Sequence, residues 1–345
     1  MNDELIESII GFEALYDSMY KCKNGVLWKT SVSHYFLNGI EETLKLEEQL
    51  KNGTYKPRPP RKFTLTSPKR REAVSISFRD RVYQRSLNDK AIYPIITKSF
   101  IYDNYACQKG KGTDFARNRF ITFLKKYYRK HGNNEGFILQ MDVLGYYPNM
   151  SHSLIEDLFE RKLPQEVFEM AKPILREQYD GDVGYNPGSQ MIQIAGISAL
   201  DDLDHFIKEK LRVKFYGRYM DDSFIIHESK EYLEKCLKEI EVKLKEFGFV
   251  LHPKKTHIIK LSKGMKFLGF TFRLTDTGKV VMLVSSDTVK REKRKLVRMS
   301  HLAKKGYMKK SKVDECYKSW KAHASKGNSF KLMQRMDKFY KELWR

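Results

Sequence analysis

Two adjacent aspartates, Asp221 and Asp222, lie between two short apolar runs in the stretch FYGRYMDDSFIIHESK at residues 215–230. The runs at 213–219 and 223–227 have the composition of strands, so the spacing predicts a β-hairpin that carries both carboxylates at its turn. Aspartate is also a common turn residue, and a pair of solvated turn formers is the alternative to a chemical role. The rest of the chain has to decide between these two interpretations.

A third carboxylate, Asp142, ends the apolar stretch GFILQMD about eighty residues before the hairpin. If the two elements are neighbours in one sheet, Asp142, Asp221 and Asp222 meet at one edge of it. Carboxylates that close repel one another unless cations lie between them. Hard divalent ions such as Mg²⁺ prefer oxygen ligands, and two of them can activate a hydroxyl and stabilise the leaving oxygen of a phosphoryl transfer. The three aspartates therefore predict a site for two Mg²⁺ ions, with Mn²⁺ as the alternative ion.

The elements around these carboxylates can be predicted from local patterns. The stretch SHSLIEDLFERKL is predicted to be a helix that Ser151, its first residue, caps. A helix that is apolar on most faces in its first half, and therefore buried there, is predicted over 188–211. An amphipathic helix is predicted over 230–248, and short strands near 252–259 and 265–272. Before the basic segment 56–77 we expect a helix, which ends at Gly53.

The charge of the chain indicates a polyanionic partner. The sequence has 65 Lys or Arg against 43 Asp or Glu, a net charge of +22. The last sixty residues, from Ser286, contain 19 Lys or Arg and only 6 Asp or Glu, with aromatic residues interleaved at helical spacing. Basic helices of this kind suit contact with a nucleic-acid backbone, and a helical bundle with a solvated basic face is the alternative.

The composition also excludes several classes of protein. The chain has no long apolar run, and its acidic start MNDELIESII does not resemble a signal peptide, so we expect no membrane partner. Its four cysteines are scattered without a CxxC pair, which argues against a zinc site or a disulfide framework. This usage fits a reducing cytoplasm.

The YMDD stretch at 219–222 resembles the metal-binding signature of reverse transcriptases, and six further stretches appear in the order that this family uses. They are FRDRVYQ (78–84), FIYDNYACQKGKGT (100–113), MDVLGYYPNMSH (141–152), PGSQMIQIAG (187–196), LHPKKTHI (251–258) and KGMKFLGF (263–270). The resemblance implies RNA-directed DNA polymerase activity, in which a DNA or RNA primer is extended on an RNA template with dNTPs. A rival interpretation is a catalytically idle RNA-binding protein, against which the three intact aspartates argue.

The resemblance implies an α+β fold of the right-hand polymerase type. N-terminal helices and fingers are expected over 1–135, a palm with an antiparallel sheet and helices over 136–285, and a basic helical thumb over 286–345. Fingers and palm would interleave near their boundary. We expect no separate RNase H or endonuclease domain, because no residues remain to build one.

The resemblance also implies the site residues. The metal carboxylates would be Asp142, Asp221 and Asp222, with the backbone carbonyl of Val143 completing the shell. Tyr147 matches the bulky residue that excludes a ribose 2′-OH, and its alternative role is that of a packed aromatic. Tyr146 would point the other way if the segment is extended.

The remaining implied contacts involve the incoming nucleotide and the primer. The family's triphosphate-binding side chains fall on Lys69, Arg70 and Arg71, among which the sequence leaves the choice open. The family has a lysine that protonates the leaving pyrophosphate, and its position corresponds to Lys254 or Lys255. An ordinary turn is an equally good interpretation of this stretch. The hairpin that grips the primer end falls on the three residues Phe267, Leu268 and Gly269.

The segment around Gly188 departs from the commonest family pattern. Pro187 occupies the usual glutamine position and Gln193 the usual proline position, and both would lie near the dNTP. Gln193, KGKGT and KGMKFLGF together look most like the enzymes of bacterial diversity-generating retroelements, which usually have Ser at the position of Ile192. That subfamily implies error-prone copying in a bacterial cytoplasm, with errors opposite template adenine. A phage-defence reverse transcriptase of the abortive-infection type is the alternative, and a small accessory protein or a non-coding RNA is a further partner left open.

Overall fold

The structure is a computed structural model that describes residues 2–66, 70–177 and 181–345. Its first part is a group of packed helices in which α2 contacts both α1 and α4. These helices are α1 (Asn2–Ile10), α2 (Phe12–Cys22), α3 (Thr30–Leu37) and α4 (Gly39–Lys51). The predicted stop after α4 is confirmed, because Gly53 adopts φ +66°, a left-handed conformation that ends helices.

A two-stranded antiparallel hairpin and a run of helical turns follow. The hairpin consists of β1 (Arg61–Leu65) and β2 (Arg71–Ser75). The Ser77 side chain caps the next helix by accepting a hydrogen bond from the Asp80 N–H. The helical segments are α5 (Phe78–Leu87), a π-helical turn (Asn88–Ile92), α6 (Tyr93–Ile96), a 3₁₀ turn (Thr97–Ser99) and the long helix α7 (Thr113–His131).

The central element is a four-stranded antiparallel sheet with strand order β4-β5-β3-β6. Its strands are β3 (Phe137–Asp142), β4 (Phe215–Tyr219), β5 (Asp222–His227) and β6 (His257–Lys260). The register pairs Asp142 of β3 with Asp222 of β5. The end of β3 and the turn of the β4–β5 hairpin therefore lie at the same edge of the sheet.

Five helices accompany this sheet in the chain. They are α8 (His152–Lys162), α9 (Gln165–Arg176), α10 (Gln190–Ser198), α11 (Asp201–His205) and α12 (Lys230–Glu246). The predicted cap of α8 is confirmed, since the Ser151 hydroxyl accepts a hydrogen bond from the Leu154 N–H.

The prediction of one continuous helix over 188–211 is wrong. α10 ends at Ser198, and α11 continues into a π-helical turn (Phe206–Lys210). The break lies where the Ile197 carbonyl accepts a hydrogen bond from Arg218 and where the buried Asp201 and Asp204 make ion pairs. These partners come from distant parts of the chain, so local periodicity could not reveal the break.

A three-stranded antiparallel sheet and three helices complete the chain. They are β7 (Met265–Phe267), β8 (Phe270–Leu274), β9 (Val280–Val284), α13 (Ser286–Lys304), α14 (Lys310–Ala324) and α15 (Phe330–Glu342). Phe270 and Phe272 of β8 share one buried cluster with Trp320 of α14 and Met336 of α15. The last helices are thus anchored by packing on this sheet, and the division of the chain into three domains stays a prediction.

The buried apolar side chains form two clusters. One joins the N-terminal helices to α8–α12 and one face of the central sheet, and the other joins α7, the other face of that sheet and the C-terminal elements. Within the part of the chain that the structure describes, no helix is both long enough and apolar enough to cross a lipid bilayer. The mixture of helices with antiparallel sheets confirms the predicted α+β class.

Candidate active site

The three aspartates lie at one edge of the central sheet. Asp142 and Asp222 face each other across β3 and β5, and Met220 and Asp221 form the two-residue loop between β4 and β5. Asp142 is only 6% exposed, whereas Asp221 and Asp222 are partly exposed. The predicted hairpin and its adjacency to the Asp142 strand are therefore confirmed, while the roles of the carboxylates stay a prediction.

The electrostatics of this edge favour a bound cation. Burial, followed by the charges of Asp221 and Asp142, raises the pKa of Asp222 to about 7. Burial, with Asp142 adding to it, also raises the pKa of Asp221. Ionised carboxylates held this way cost free energy that a neighbouring positive charge offsets.

The donor set fits a hard divalent ion that binds together with a nucleotide. Over the described residues, no three His, Cys, Asp or Glu side chains form a ready-made metal cage. The donors available here are the oxygens of Asp142, Asp221 and Asp222 and the Val143 carbonyl, on a segment that bridges to Leu251. Mg²⁺ is usually held by one or two carboxylates while phosphate oxygens and water complete its shell, so an open set of oxygen donors suits it.

The structure separates the two candidate lysines. The Lys255 Nζ lies 2.8 Å from both carboxylate oxygens of Asp142. Burial alone would lower the pKa of Lys255, but its hydrogen bonds to Asp142 outweigh that effect and raise it. Lys254 is exposed, and its backbone N–H donates to the His252 ring. Of the two ammonium groups, that of Lys255 is thus the one in contact with the carboxylates.

The prediction that Tyr146 points away from Tyr147 on an extended segment is wrong. Residues 144–149 form a turn in which Gly145 has φ +56°, so the two rings lie side by side with centroids 5.5 Å apart. The buried Tyr146 hydroxyl donates to the Gly196 carbonyl. The Tyr147 ring packs over the same glycine, where an added Cβ would come within 2.6 Å of its Oη, and that Oη lies 4.0 Å from the Met220 Sδ. Tyr147 is therefore wedged between α10 and the aspartate hairpin.

The turn before α10 lies against the β1–β2 hairpin. A Cβ added to Gly188 would lie 3.1 Å from the Val74 carbonyl oxygen of β2. Pro187 is exposed, and its carbonyl accepts a hydrogen bond from the Gln193 amide at 3.3 Å. The Gln193 oxygen in turn accepts one from the Cys107 thiol at 3.6 Å. Both side-chain ends of Gln193 are thus held by the protein.

Two of the three candidate triphosphate-binding residues, Arg70 and Arg71, lie at the start of β2. Arg70 is exposed immediately before this strand. Lys69 and the side chain of Arg71 lie outside the described part of the chain, so the choice among the three stays open.

The predicted primer grip is a tight turn between β7 and β8. Leu268 has φ +45° and Gly269 has φ +87°, the pattern of a two-residue type I′ hairpin turn. Arg117 of α7 donates to the Leu268 carbonyl at 3.1 Å, and Phe267 is buried below. The turn is held between α7 and α14, since a Cβ on Gly269 would lie 3.4 Å from the His323 ring.

One polar pair beneath the hairpin was missed by sequence reasoning. Arg218 and Asp204 form an ion pair whose side chains are 1% and 0% exposed. The available signal was a charged residue inside the apolar run at 213–219, because a charge at an inward strand position needs a buried partner.

Replacing Asp222 with asparagine is expected to stabilise the protein in the absence of divalent ions by on the order of 2 kcal/mol at pH 8. The folded pKa of about 7 lies above that of an unfolded aspartate, so ionisation destabilises the fold. This penalty is fully present above pH 7 and is lost as the pH falls toward 4. Urea unfolding in EDTA at pH 8 and pH 5 measures it, and the variant's advantage should shrink at the lower pH.

Asp157→Asn on the exposed face of α8 is the matched control and should change little at either pH. Added Mg²⁺ should raise the unfolding midpoint of the unmodified protein more than that of Asp222→Asn. An Asp222→Asn protein no more stable than the unmodified one at pH 8 would contradict this electrostatic account.

Comparison with known proteins gives a family match for the segment that contains this site. A family model described as reverse transcriptase (RNA-dependent DNA polymerase) matches residues 61–272. This range includes the three aspartates, both candidate lysines and the turn before α10. No curated protein sequence matches the chain.

Two telomerases are among the solved structures to which this chain was matched. A telomerase from Candida albicans, in complex with the TWJ fragment of telomeric RNA, superposes with a TM-score of 0.50 at 11% identity and covers 70% of this chain and 49% of its own. An apo telomerase from Candida tropicalis gives a TM-score of 0.48 at 12% identity, covering 71% and 53%. The present chain spans about half the length of these proteins, and the likeness to the first shows a shared fold alone.

Proposed function

The chain belongs to the reverse transcriptase family, whose model covers more than half of it, and from this premise we propose that it extends a primer 3′-OH on an RNA template with dNTPs. The observation that carries the proposal is the register of Asp142 opposite Asp222, with Asp221 in the adjoining turn. This arrangement gathers negative charge at a sheet edge, where the Lys255 ammonium group contacts Asp142. Clustered carboxylates whose pKa values are raised, as those of Asp221 and Asp222 are, are typical of a catalytic site.

Divalent cations are the proposed cofactor, with two Mg²⁺ ions as the specific choice. Asp142, Asp221, Asp222 and the Val143 carbonyl would hold them. When bound, such ions activate the attacking hydroxyl and stabilise the charge on the leaving oxygen. The raised pKa values of Asp221 and Asp222 support this assignment, because they show that the fold holds carboxylates where ionisation needs compensation.

Lys255 is the proposed proton donor to the pyrophosphate. Its hydrogen bonds to Asp142 keep its pKa raised, so the ammonium carries its proton at neutral pH. A lysine is a suitable general acid when it stands next to phosphate oxygens. Arg70, together with Lys69 and Arg71, is proposed to bind the triphosphate, since arginine forms paired hydrogen bonds with phosphate oxygens.

The C-terminal helices are the proposed contact surface for the template and primer backbone. The buried side of α13 includes Leu296, while six basic side chains face solvent: Lys290, Arg291, Lys293, Arg294, Lys295 and Arg298. Several exposed cations on one helix can neutralise phosphates of a nucleic-acid backbone. The turn at 267–269, which α14 approaches, is proposed to hold the primer end.

The test is primer extension by the purified protein. A 5′-labelled DNA primer annealed to an RNA template should lengthen to the template end when dNTPs and Mg²⁺ are present, and EDTA should stop it. A protein that binds the annealed RNA but adds no nucleotide with either Mg²⁺ or Mn²⁺ would be an idle RNA-binding protein, and the proposal would fail.

Error-prone copying, as in diversity-generating retroelements, is the proposed specialisation. A side-chain amide at position 187 could both donate and accept near a new base pair, whereas Pro187 has neither a side-chain donor nor a backbone N–H. The nearby Gln193 amide is already held by Pro187 and Cys107. A mispair would then leave fewer protein groups unsatisfied, so base selection would rest more on shape.

We expect cDNA copied from an RNA of even base composition to carry an excess of errors opposite adenine. Pro187→Gln should lower the total error frequency, because restoring one hydrogen-bond penalty of about 1–3 kcal/mol corresponds to roughly 5- to 150-fold in selection. Sequencing of single cDNA molecules measures both effects, with Asp182→Asn in the exposed preceding loop as the control. Equal error frequencies opposite all four bases would refute the diversification role and favour the phage-defence alternative, while the polymerase proposal would stand.

A further inference from the structure

The turn that carries Asp221 has a strained backbone. Met220, the first residue of its two-residue loop, has φ +57°. This left-handed conformation suits glycine, and a residue with a side chain adopts it at an energetic cost and keeps it only where the surroundings hold it. Something outside the loop must therefore stabilise this geometry.

Arg218 supplies that support from the neighbouring strand. Its Nη1 donates to the Met220 carbonyl at 3.0 Å, and its Nη2 donates to the Ile197 carbonyl at 3.0 Å. Asp204 of α11 accepts from Nε at 2.8 Å and from Nη2 at 2.6 Å, and it also accepts from the Tyr216 hydroxyl at 2.6 Å. Four of the five N–H groups of the guanidinium are thus engaged in a fully buried site.

A buried ion pair of this kind is weak evidence for a purely stabilising role. The desolvation of two charges often cancels their attraction, and well-packed apolar residues of similar volume are frequently as stable. Burial would lower the pKa of Arg218, but Asp204 more than offsets this and raises it, so the guanidinium stays charged. What an apolar pair cannot reproduce is the directed hydrogen bond to the Met220 carbonyl.

That hydrogen bond acts on the peptide that leads into Asp221. The Met220 carbonyl oxygen and the Asp221 nitrogen belong to one planar unit. Fixing the oxygen therefore fixes the plane from which the Asp221 backbone and carboxylate project. We propose that Arg218, oriented by Asp204, is a positioning residue that locks the Met220–Asp221 peptide for the chemical step, an inference that rests on the proposed polymerase function.

Arg218→Lys is the first test, because lysine keeps the charge but lacks the planar fork that reaches three acceptors. We expect kcat for single-nucleotide addition to fall at least 30-fold, with the dNTP KM and the primer–template Kd each within threefold. Arg119→Lys is the matched control, since Arg119 forms a two-point pair with Asp103 nearby without reaching the hairpin turn. A kcat for Arg218→Lys within threefold of the Arg119→Lys value would overturn the proposal.

A second variant separates positioning from folding if Arg218→Lys is unstable. Arg218→Met with Asp204→Leu and Tyr216→Phe removes the whole buried polar group at similar volume and leaves no unpaired hydroxyl. We expect this protein to fold and to show a loss of kcat as large as that of Arg218→Lys. A folded triple variant with kcat within threefold of the unmodified enzyme would overturn the proposal.

A spectroscopic arm tests the turn without relying on activity. The Met220 sulfur, to which the methyl is bonded, lies 4.0 Å from the Tyr147 Oη. In protein labelled with ¹³C at its thirteen methionine methyls, the Met220 signal is assigned by its absence in Met220→Leu. We expect Arg218→Lys, and not Arg119→Lys, to shift or broaden that signal with no metal or nucleotide present. An unchanged Met220 signal would overturn the positioning role even if the polymerase activity is established, and a changed signal would support it even if that activity is absent.

Discussion

Asp221→Asn is expected to reduce the rate of primer extension by at least about 1,000-fold, a loss of roughly 4 kcal/mol of transition-state stabilisation. Asparagine has the size of aspartate but lacks the negative charge that would hold a divalent cation. Removing this charge should not disturb the fold, because burial already raises the pKa of Asp221 and its ionisation is unfavourable there. Affinity for an annealed RNA template should therefore stay within about threefold, as the proposed backbone contacts lie on the basic C-terminal helices and not on the aspartate hairpin.

Single-turnover extension and filter binding with the same primer–template measure the two quantities. Asp142→Asn should reduce the extension rate as much as Asp221→Asn does. It should also lower the stability of the protein more, because it removes the ion pair between Asp142 and Lys255. Asp157→Asn, exposed on α8, is the control for removing one negative charge. If Asp221→Asn and Asp142→Asn still extend a primer at the unmodified rate with Mg²⁺, the assignment of the active site is wrong.

Tyr147→Ala is expected to admit ribonucleotides, with the preference for dNTP over rNTP falling by roughly 30- to 1,000-fold, or about 2–4 kcal/mol. The Tyr147 ring is fixed by its packing over Gly196 and beside Met220, so it presents a rigid wall next to the aspartate hairpin. A rigid ring excludes an additional hydroxyl by steric overlap, which a methyl group at the same position cannot do.

The measurement is kcat/KM for a dNTP and for the matching rNTP on the same enzyme. Truncating a packed ring also destabilises a protein by a few kcal/mol, and the ratio of two substrates on one variant cancels a general loss of activity. Tyr147→Phe keeps the ring and should retain the discrimination. Unchanged discrimination in Tyr147→Ala would assign the tyrosine to packing alone.

Local sequence was sufficient for the elements whose causes lie within a few residues. The hairpin around Asp221 and Asp222 follows from two apolar runs and a short polar link, and the Ser151 cap follows from a hydroxyl placed three residues before an N–H that needs an acceptor. The ordered motifs predicted the family, which the match over residues 61–272 establishes. In the hairpin and the cap, the pattern and the interaction that produces it occupy the same stretch of chain.

The outcomes that needed the tertiary structure all depend on contacts across long sequence separations. Lys255 is distinguished from Lys254 by reaching Asp142, which is 113 residues away. The turn that places Tyr146 and Tyr147 side by side is stabilised by Gly196 on α10. Side-chain direction in such a turn follows from which partners are present and not from a period of two.

The sequence by itself determined which chemistry the chain is equipped for, because three carboxylates, a basic C-terminal segment and the family motifs are properties of residue type and order. Only the tertiary structure decided how those groups are held, since the register of Asp142 against Asp222 comes from pairing β3 with a strand about eighty residues later. The buried Arg218–Asp204 pair shows the same dependence, because a charge inside an apolar strand is tolerated only when a distant element supplies its counter-charge.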